Sequence, residues 1–261
     1  MKKFGFKIFS TNLHTAPTFV EECIKFASFR QDMFIEIMIV PESPESDLIR
    51  LKELIGKTEV RIHAPHNVMG FDAGNKELES QNRRILAQSQ KAADLFDART
   101  IVVHAGCGHG LKYIRETARQ FKVFNDERLI VENLPHSDDN NALHGSTAED
   151  IKYIMEESGC GFCFDFSHAV CAALSLNMDM EKHLKSLFDL NPALYHMCDG
   201  HITEAEDFHM HFGSGDYPLK HFLNDLTDKN AHITMETGNN VTTHNQLWID
   251  DYNYLKSLLP E

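Results

Sequence analysis

The chain is short of positive charge and of long apolar runs, and each shortage removes a class of protein. Lysine and arginine number 25 against 39 aspartates and glutamates, for a formal net charge of −14. A surface of that sign repels phosphate backbones, which argues against broad, nonspecific nucleic-acid binding while leaving room for a local cationic site. No run approaches the roughly 18 uninterrupted apolar residues of a membrane span. The best, Ala169 to Leu176, is short and rich in small side chains. The opening MKKFGFKIFSTNL alternates polar and apolar residues without the apolar centre of an export signal, so the expected location is the cytoplasm. No linker, internal repeat or low-complexity tract interrupts the sequence, and no glycine-rich phosphate loop follows the first β-rich run, where Thr11-Asn12-Leu13-His14 stands instead. That omission counts against an open doubly wound sheet.

Cysteines are few and scattered: Cys23, Cys107, Cys160, Cys163, Cys171 and Cys198. In a chain with a core of its own and no export signal they read as reduced, buried thiols. Cys160 and Cys163 form the one CxxC, and with no second pair it points to neither metal nor redox chemistry.

What is present is an ordinary globular composition, 42% hydrophobic and 25% charged over 261 residues. That length suits one α/β barrel of about 250 residues, so residues 1–261 read as a single domain. Eight β-rich runs alternate with helical segments: 4–9, 34–40, 59–64, 99–105, 128–133, 161–166, 193–198 and 232–237. Such alternation implies a parallel sheet with right-handed crossovers, and closure into a (β/α)₈ TIM barrel follows. Between the runs, residues 75–96 carry apolar side chains at helical spacing, Ser146 and Glu149 suggest a capping box, and 243–259 form a closing helix stopped by Pro260.

The ends of the runs carry the chemistry. His63, His104, Glu132, Asp165, His196 and Glu236 close runs three to eight, and every one is a good metal ligand. In a barrel of this kind the C-terminal strand ends converge on one site. One such residue alone reads as a hydrogen-bonded structural group, whereas six on successive strands call for a cation to neutralise the buried carboxylates. Alternation along the strands places Val102, Ile130, Cys163, Leu194 and Thr234 beneath these residues, inside the barrel. Strand three breaks the pattern by putting Arg61 inside with His63, which requires a bulge or a charged lower layer. His168, three residues after Asp165, and the pair Asp207 and His209 before a glycine-rich turn join the set from loops, with His211 and Asp216 nearby.

Taken in order, HAPHNV (63–68), VVHAG (102–106), VENLPH (131–136), FDFSHA (164–169), YHMCD (195–199), DFHMHFGSG (207–215) and METGNN (235–240) resemble the endonuclease IV family of apurinic endonucleases, within the xylose isomerase-like barrel superfamily. The resemblance implies a three-zinc site. His63 and His104 would hold one ion with Glu132, which bridges to a second held by Asp165, His196 and Glu236; His168, Asp207 and His209 would hold the third. Manganese is the alternative ion. Also implied is hydrolysis of a phosphodiester, at abasic DNA or in a related phosphate-containing substrate, with Glu132 and Glu236 orienting the attacking water.

The chain departs from that family where DNA is gripped. VPESPESD after the second run has three acidic residues and no arginine, His66 replaces an aromatic wedge, and the turn reads GSGD. Two other readings stay open. A sugar isomerase or epimerase would need one ion on Glu132, Asp165, His196 and Glu236. A metal-binding barrel without turnover would use the same residues and react with nothing.

Overall fold

Apolar side chains on both faces of each β-rich run need cover from two sides, and the eight runs meet that need by closing on themselves. The computed structural model describes residues 1–138, 141–238 and 245–260. Its strands are β1 (Lys3–Phe9), β2 (Met33–Met38), β3 (Val60–His63), β4 (Ile101–His104), β5 (Leu129–Glu132), β6 (Gly161–Asp165), β7 (Leu194–Met197) and β8 (His232–Met235). All pair in parallel with their sequence neighbours, and β8 returns to β1, so the sheet is a closed barrel. The helices are α1 (Asn12–Thr15), α2 (Pro17–Ser28), α3 (Glu45–Ile55), α4 (Glu79–Phe96), α5 (Leu111–Phe124), α6 (Ala148–Ser158), α7 (Phe166–Ser175), α8 (Met180–Phe188), α9 (Leu219–Asp225) and α10 (Gln246–Leu258).

The outward faces of the strands, among them Phe4, Phe6, Ile37, Ile62, Ile101, Val131, Phe164 and Ile233, are buried under these helices in one continuous cluster. Each such side chain contributes about 1.5–3 kcal/mol through its removal from water. The inward faces form a second cluster of Phe34, Val102, Ile130, Cys163 and Leu194. Gly5 makes room for this plug, since a Cβ there would lie 2.3 Å from the Phe34 ring. Below the plug, Arg61 pairs with Glu59 at 2.5 Å and lies 2.8 Å from His232 Nδ1. The anomaly on strand three is therefore a charged lower layer, with no bulge needed.

Several local expectations need correcting. The cap of α6 is Thr147, whose hydroxyl accepts from Asp150 N at 3.2 Å. Ser146 is occupied elsewhere, donating to the Pro135 carbonyl. The helix expected from residue 75 starts as a 3-10 turn over Lys76–Leu78, capped by Asn75, before α4 begins. α10 begins at Gln246; Thr243, like Asn239 and Asn240 of METGNN, lies outside the described residues. All six cysteines are free, as expected, and five are buried, Cys107 being half-buried. Among the described residues no helix is long and apolar enough to cross a membrane.

Candidate metal centre

Register sets the depth of each rim residue. His104 faces Glu132 across β4 and β5, and Asp165 faces His196 across β6 and β7. Between those pairs the barrel's stagger intervenes: His63 is level with Val102, and Glu132 with Cys163. His63 thus sits one inward-facing step below His104, and Glu132 one below Asp165. The strand-end residues consequently form a three-dimensional nest around the deep Glu132 instead of a flat ring.

Glu132 is 1% exposed and has four histidines around it, His168 Nδ1 standing 3.4 Å from its Oε1. His63 Nε2 lies 3.1 Å and His104 Nε2 3.3 Å from its Oε2, and His196 Nδ1 lies 3.2 Å from its Oε1. His196 Nδ1 is also 2.7 Å from Glu236 Oε1. On the far side, Asp207 Oδ2 lies 3.2 Å from His168 Nε2 and 2.6 Å from His209 Nε2. In each of two groups, His63, His104 and Glu132 and also His168, Asp207 and His209, the ligand-type atoms lie within 4.8 Å of one another. Asp165 comes together with Glu132 and His168, and Glu236 with His63 and His196. The structure brings all nine residues into one cluster, although Asp165 stands closer to the His168 side than to Glu236.

The outer nitrogens fix how each ring is presented. His63 Nδ1 donates to Ala64 O at 2.7 Å, His168 Nδ1 to Asn133 O at 2.9 Å and His209 Nδ1 to Glu236 O at 2.7 Å. Each bond leaves Nε2 turned toward the carboxylates. His196 is reversed, with Nδ1 inward and Nε2 3.2 Å from Glu36 Oε2. His209 adopts a left-handed backbone, φ 48°, which a non-glycine residue holds only under constraint. The constraint is a double tie to the end of β8: its ring donates to Glu236 O, and its carbonyl accepts from Gly238 N at 2.7 Å.

Burial disfavours charge on the carboxylates of the cluster and on His104, His168, His196 and His209, and their mutual attraction decides the outcome. Glu132 and Glu236 are held well below the usual carboxylate range chiefly by His196, and Asp207 by His209. Facing acids overcome burial at His209, raising it to about 9. Burial wins at Asp165, whose carboxyl rises to about 7 beside Glu132 and Asp207, and at His104 and His66, the latter pushed down to about 3. The donor set is imidazole and carboxylate only, it converges, and its outer nitrogens are anchored by acceptors. These features fit divalent transition metals.

Two members of the cluster escaped the strand-end pattern because they lie within strands. Lys7 on β1 forms ion pairs with Glu236 and, at 3.9 Å, with Glu36. Glu36 on β2, fully buried, accepts from Thr234 Oγ1 at 2.7 Å and leaves its own Oε1 without a hydrogen-bond partner. The clue was available in β1: Phe4, Phe6 and Ile8 take the outward face, so Lys7 must point into the barrel.

The glycine-rich turn departs from its expected role of bringing backbone to a ligand. Its backbone wraps Asp199, which accepts from Gly213 N at 2.8 Å and Gly215 N at 3.0 Å through Oδ2, and from Gly200 N at 2.9 Å through Oδ1. A Cβ on Gly215 would lie 2.2 Å from the Gly200 carbonyl, so the residue there must be glycine. His211 and Asp216 brace the same loop through Asp251 and Ile202 N.

A family model described as xylose isomerase-like TIM barrel matches residues 26–258. A probable endonuclease 4 of Mycobacterium ulcerans (strain Agy99) is 25% identical over 205 residues, covering 74% of this chain and 78% of that protein. The endonuclease IV structure from Thermus thermophilus superposes with a TM-score of 0.70 at 17% identity, covering 98% of this chain and 100% of the other. A D-tagatose 3-epimerase-like protein superposes equally well, with a TM-score of 0.70 at 16% identity over 98% and 96% of the two chains. At these identities the two structures speak for the fold alone.

Proposed function

The chain belongs to the xylose isomerase-like TIM barrel family, and on that footing we propose that its rim is a multi-metal centre that hydrolyses a phosphoester in the manner of endonuclease IV. One observation carries the reading. Beside the four residues that a single-metal sugar isomerase would use, the cluster holds two further complete groups, His63 and His104 on Glu132, and His168 and His209 on Asp207. An isomerase has no need of those five donors.

Three zinc ions suit the donors, and when bound they supply Lewis acidity to a phosphoryl group and to water. The chain's own residues do the rest. Glu132 links the His63 and His104 side of the cluster to His196 and sets the spacing between them. Glu236, steadied by Lys7 and His196, presents a carboxylate to the cleft and orients the attacking water. His66 stacks on His104 with ring centroids 4.9 Å apart, and burial keeps it neutral, so it offers substrate an uncharged hydrogen-bonding group.

A second reading, sugar isomerisation or epimerisation, draws on one observation: Glu132 and Glu236 both approach His196 as a facing carboxylate pair, an arrangement able to shuttle a proton. The test assays zinc-loaded protein against phosphoesters, including abasic-site DNA, and against ketohexose epimerisation. Phosphoester cleavage that Glu132→Gln abolishes together with stoichiometric metal supports the proposal. Epimerisation alone, or cleavage that survives Glu132→Gln, overturns it.

A further inference from the structure

The cleft above the cluster has a volume of 740 Å³, within the range of about 300–1,000 Å³ that encloses a drug-sized molecule. It is chemically two-sided. Its floor is the rim cluster, and its wall includes Phe9, Met38, Leu134 and Trp248. Among the described residues, Lys7 is the one lysine or arginine that lines it, and that ammonium is engaged by Glu236 and Glu36.

The surroundings repeat this balance. The segments joining each strand to the helix that follows it contain one lysine, Lys76, and no arginine. Against it stand acidic residues such as Glu42, Asp72 and Glu204. Duplex DNA carries about one phosphate charge per 1.7 Å of axis, and its binding depends on lysines and arginines that neutralise several of them. This face offers a duplex no such row, whereas a single phosphoryl group would find a metal centre beneath an apolar wall.

We propose that the cleft takes one small phosphoester with an apolar or aromatic body, and that duplex DNA is not its ligand. The inference rests on the multi-metal reading above and narrows it to a substrate class. The phosphoryl group would lie on the metal ions that the rim donors hold, and the apolar body lies against Phe9, Met38 and Trp248.

The test measures binding to zinc-loaded protein by titration calorimetry, with the metal content of the same sample counted by mass spectrometry. The probes are inorganic phosphate, 1-naphthyl phosphate and a short duplex carrying an abasic-site analogue. Naphthyl phosphate is expected to bind about tenfold or more tightly than inorganic phosphate, the gain from removing roughly 60 Å² of apolar surface from water. Phe9→Ala, a change at a half-buried strand end, should shrink that ratio severalfold. The duplex should show no saturable binding at physiological salt. Equal affinity for the two phosphates, or saturable duplex binding with a steep salt dependence, overturns the inference while leaving the metal centre standing. Fewer than two ions per chain overturns the metal-centre reading and this inference with it.

Discussion

Replacing Glu36 by glutamine probes the cluster from beneath and leaves all nine donors unsubstituted. The carboxylate lies 3.2 Å from His196 Nε2, is fully buried and accepts from Thr234 Oγ1. It holds the His196 ring so that Nδ1 faces Glu132 and Glu236. An amide of the same shape keeps the packing, loses the charge and can turn an NH₂ toward Nε2. Outer partners of this kind typically set about 10–100-fold in metal affinity, or roughly 1.4–2.7 kcal/mol. Chelator-competition titration of the metal-free protein with zinc should show that loss confined to one class of ion, with the other sites titrating as in the parent. Circular-dichroism melts of the metal-free proteins control for folding. Unchanged zinc affinity at every site in a folded variant would refute the argument, because His196 would then be held without Glu36.

Asp199→Ala removes the carboxylate around which the loop from Gly200 to Tyr217 is folded, and that loop delivers Asp207 and His209. Zinc content should fall by one ion per chain while the His63 side stays loaded; an undiminished count would contradict this. Metal affinity should rise with pH, because an entering ion displaces protons, among them the one on His209 held up to about 9; affinity flat between pH 6 and 9 would count against His209 as a ligand. His144 supplies a stability prediction. It is 2% exposed, its Nδ1 donates to the Gly108 carbonyl at 3.2 Å, its Nε2 lies 2.8 Å from the Thr117 hydroxyl, and burial pushes it down to about 4. An unfolded histidine protonates near its ordinary value of 6.5, so the stability present above that pH is lost as pH falls toward 4, by about 3 kcal/mol at roughly 1.4 kcal/mol per unit. Urea unfolding of His144→Gln should lack that portion of the acid slope, and parallel slopes would contradict it.

The barrel was legible because its strands are buried on both faces and so read as short, dense β-rich runs. Apart from the first, the runs ended one or two residues too late, as at 34–40 against β2, since the apolar pattern continues into the covered loop after the ladder stops. The convergence of the nine residues was legible for a different reason: a fold that gathers strand ends turns a linear spacing into a point. Stagger between strands was not legible. It is stagger that carries His63 and Glu132 below the rim and lets His63 share one group with mid-strand Glu36, which no end-of-strand pattern can reveal. The turn at Gly213 misled in another way. A glycine needed for close approach looks the same whether the backbone approaches a ligand or, as here, the carboxylate of Asp199.

The number of zinc ions bound per chain, after the metal-free protein is reloaded and desalted, tests the multi-metal centre most sharply. Nine converging donors in overlapping groups predict close to three ions, falling toward two in His168→Ala as the Asp207 group loses a member. A single ion per chain, unchanged by His168→Ala or His104→Ala, would contradict the multi-metal account and leave only the four-residue isomerase site.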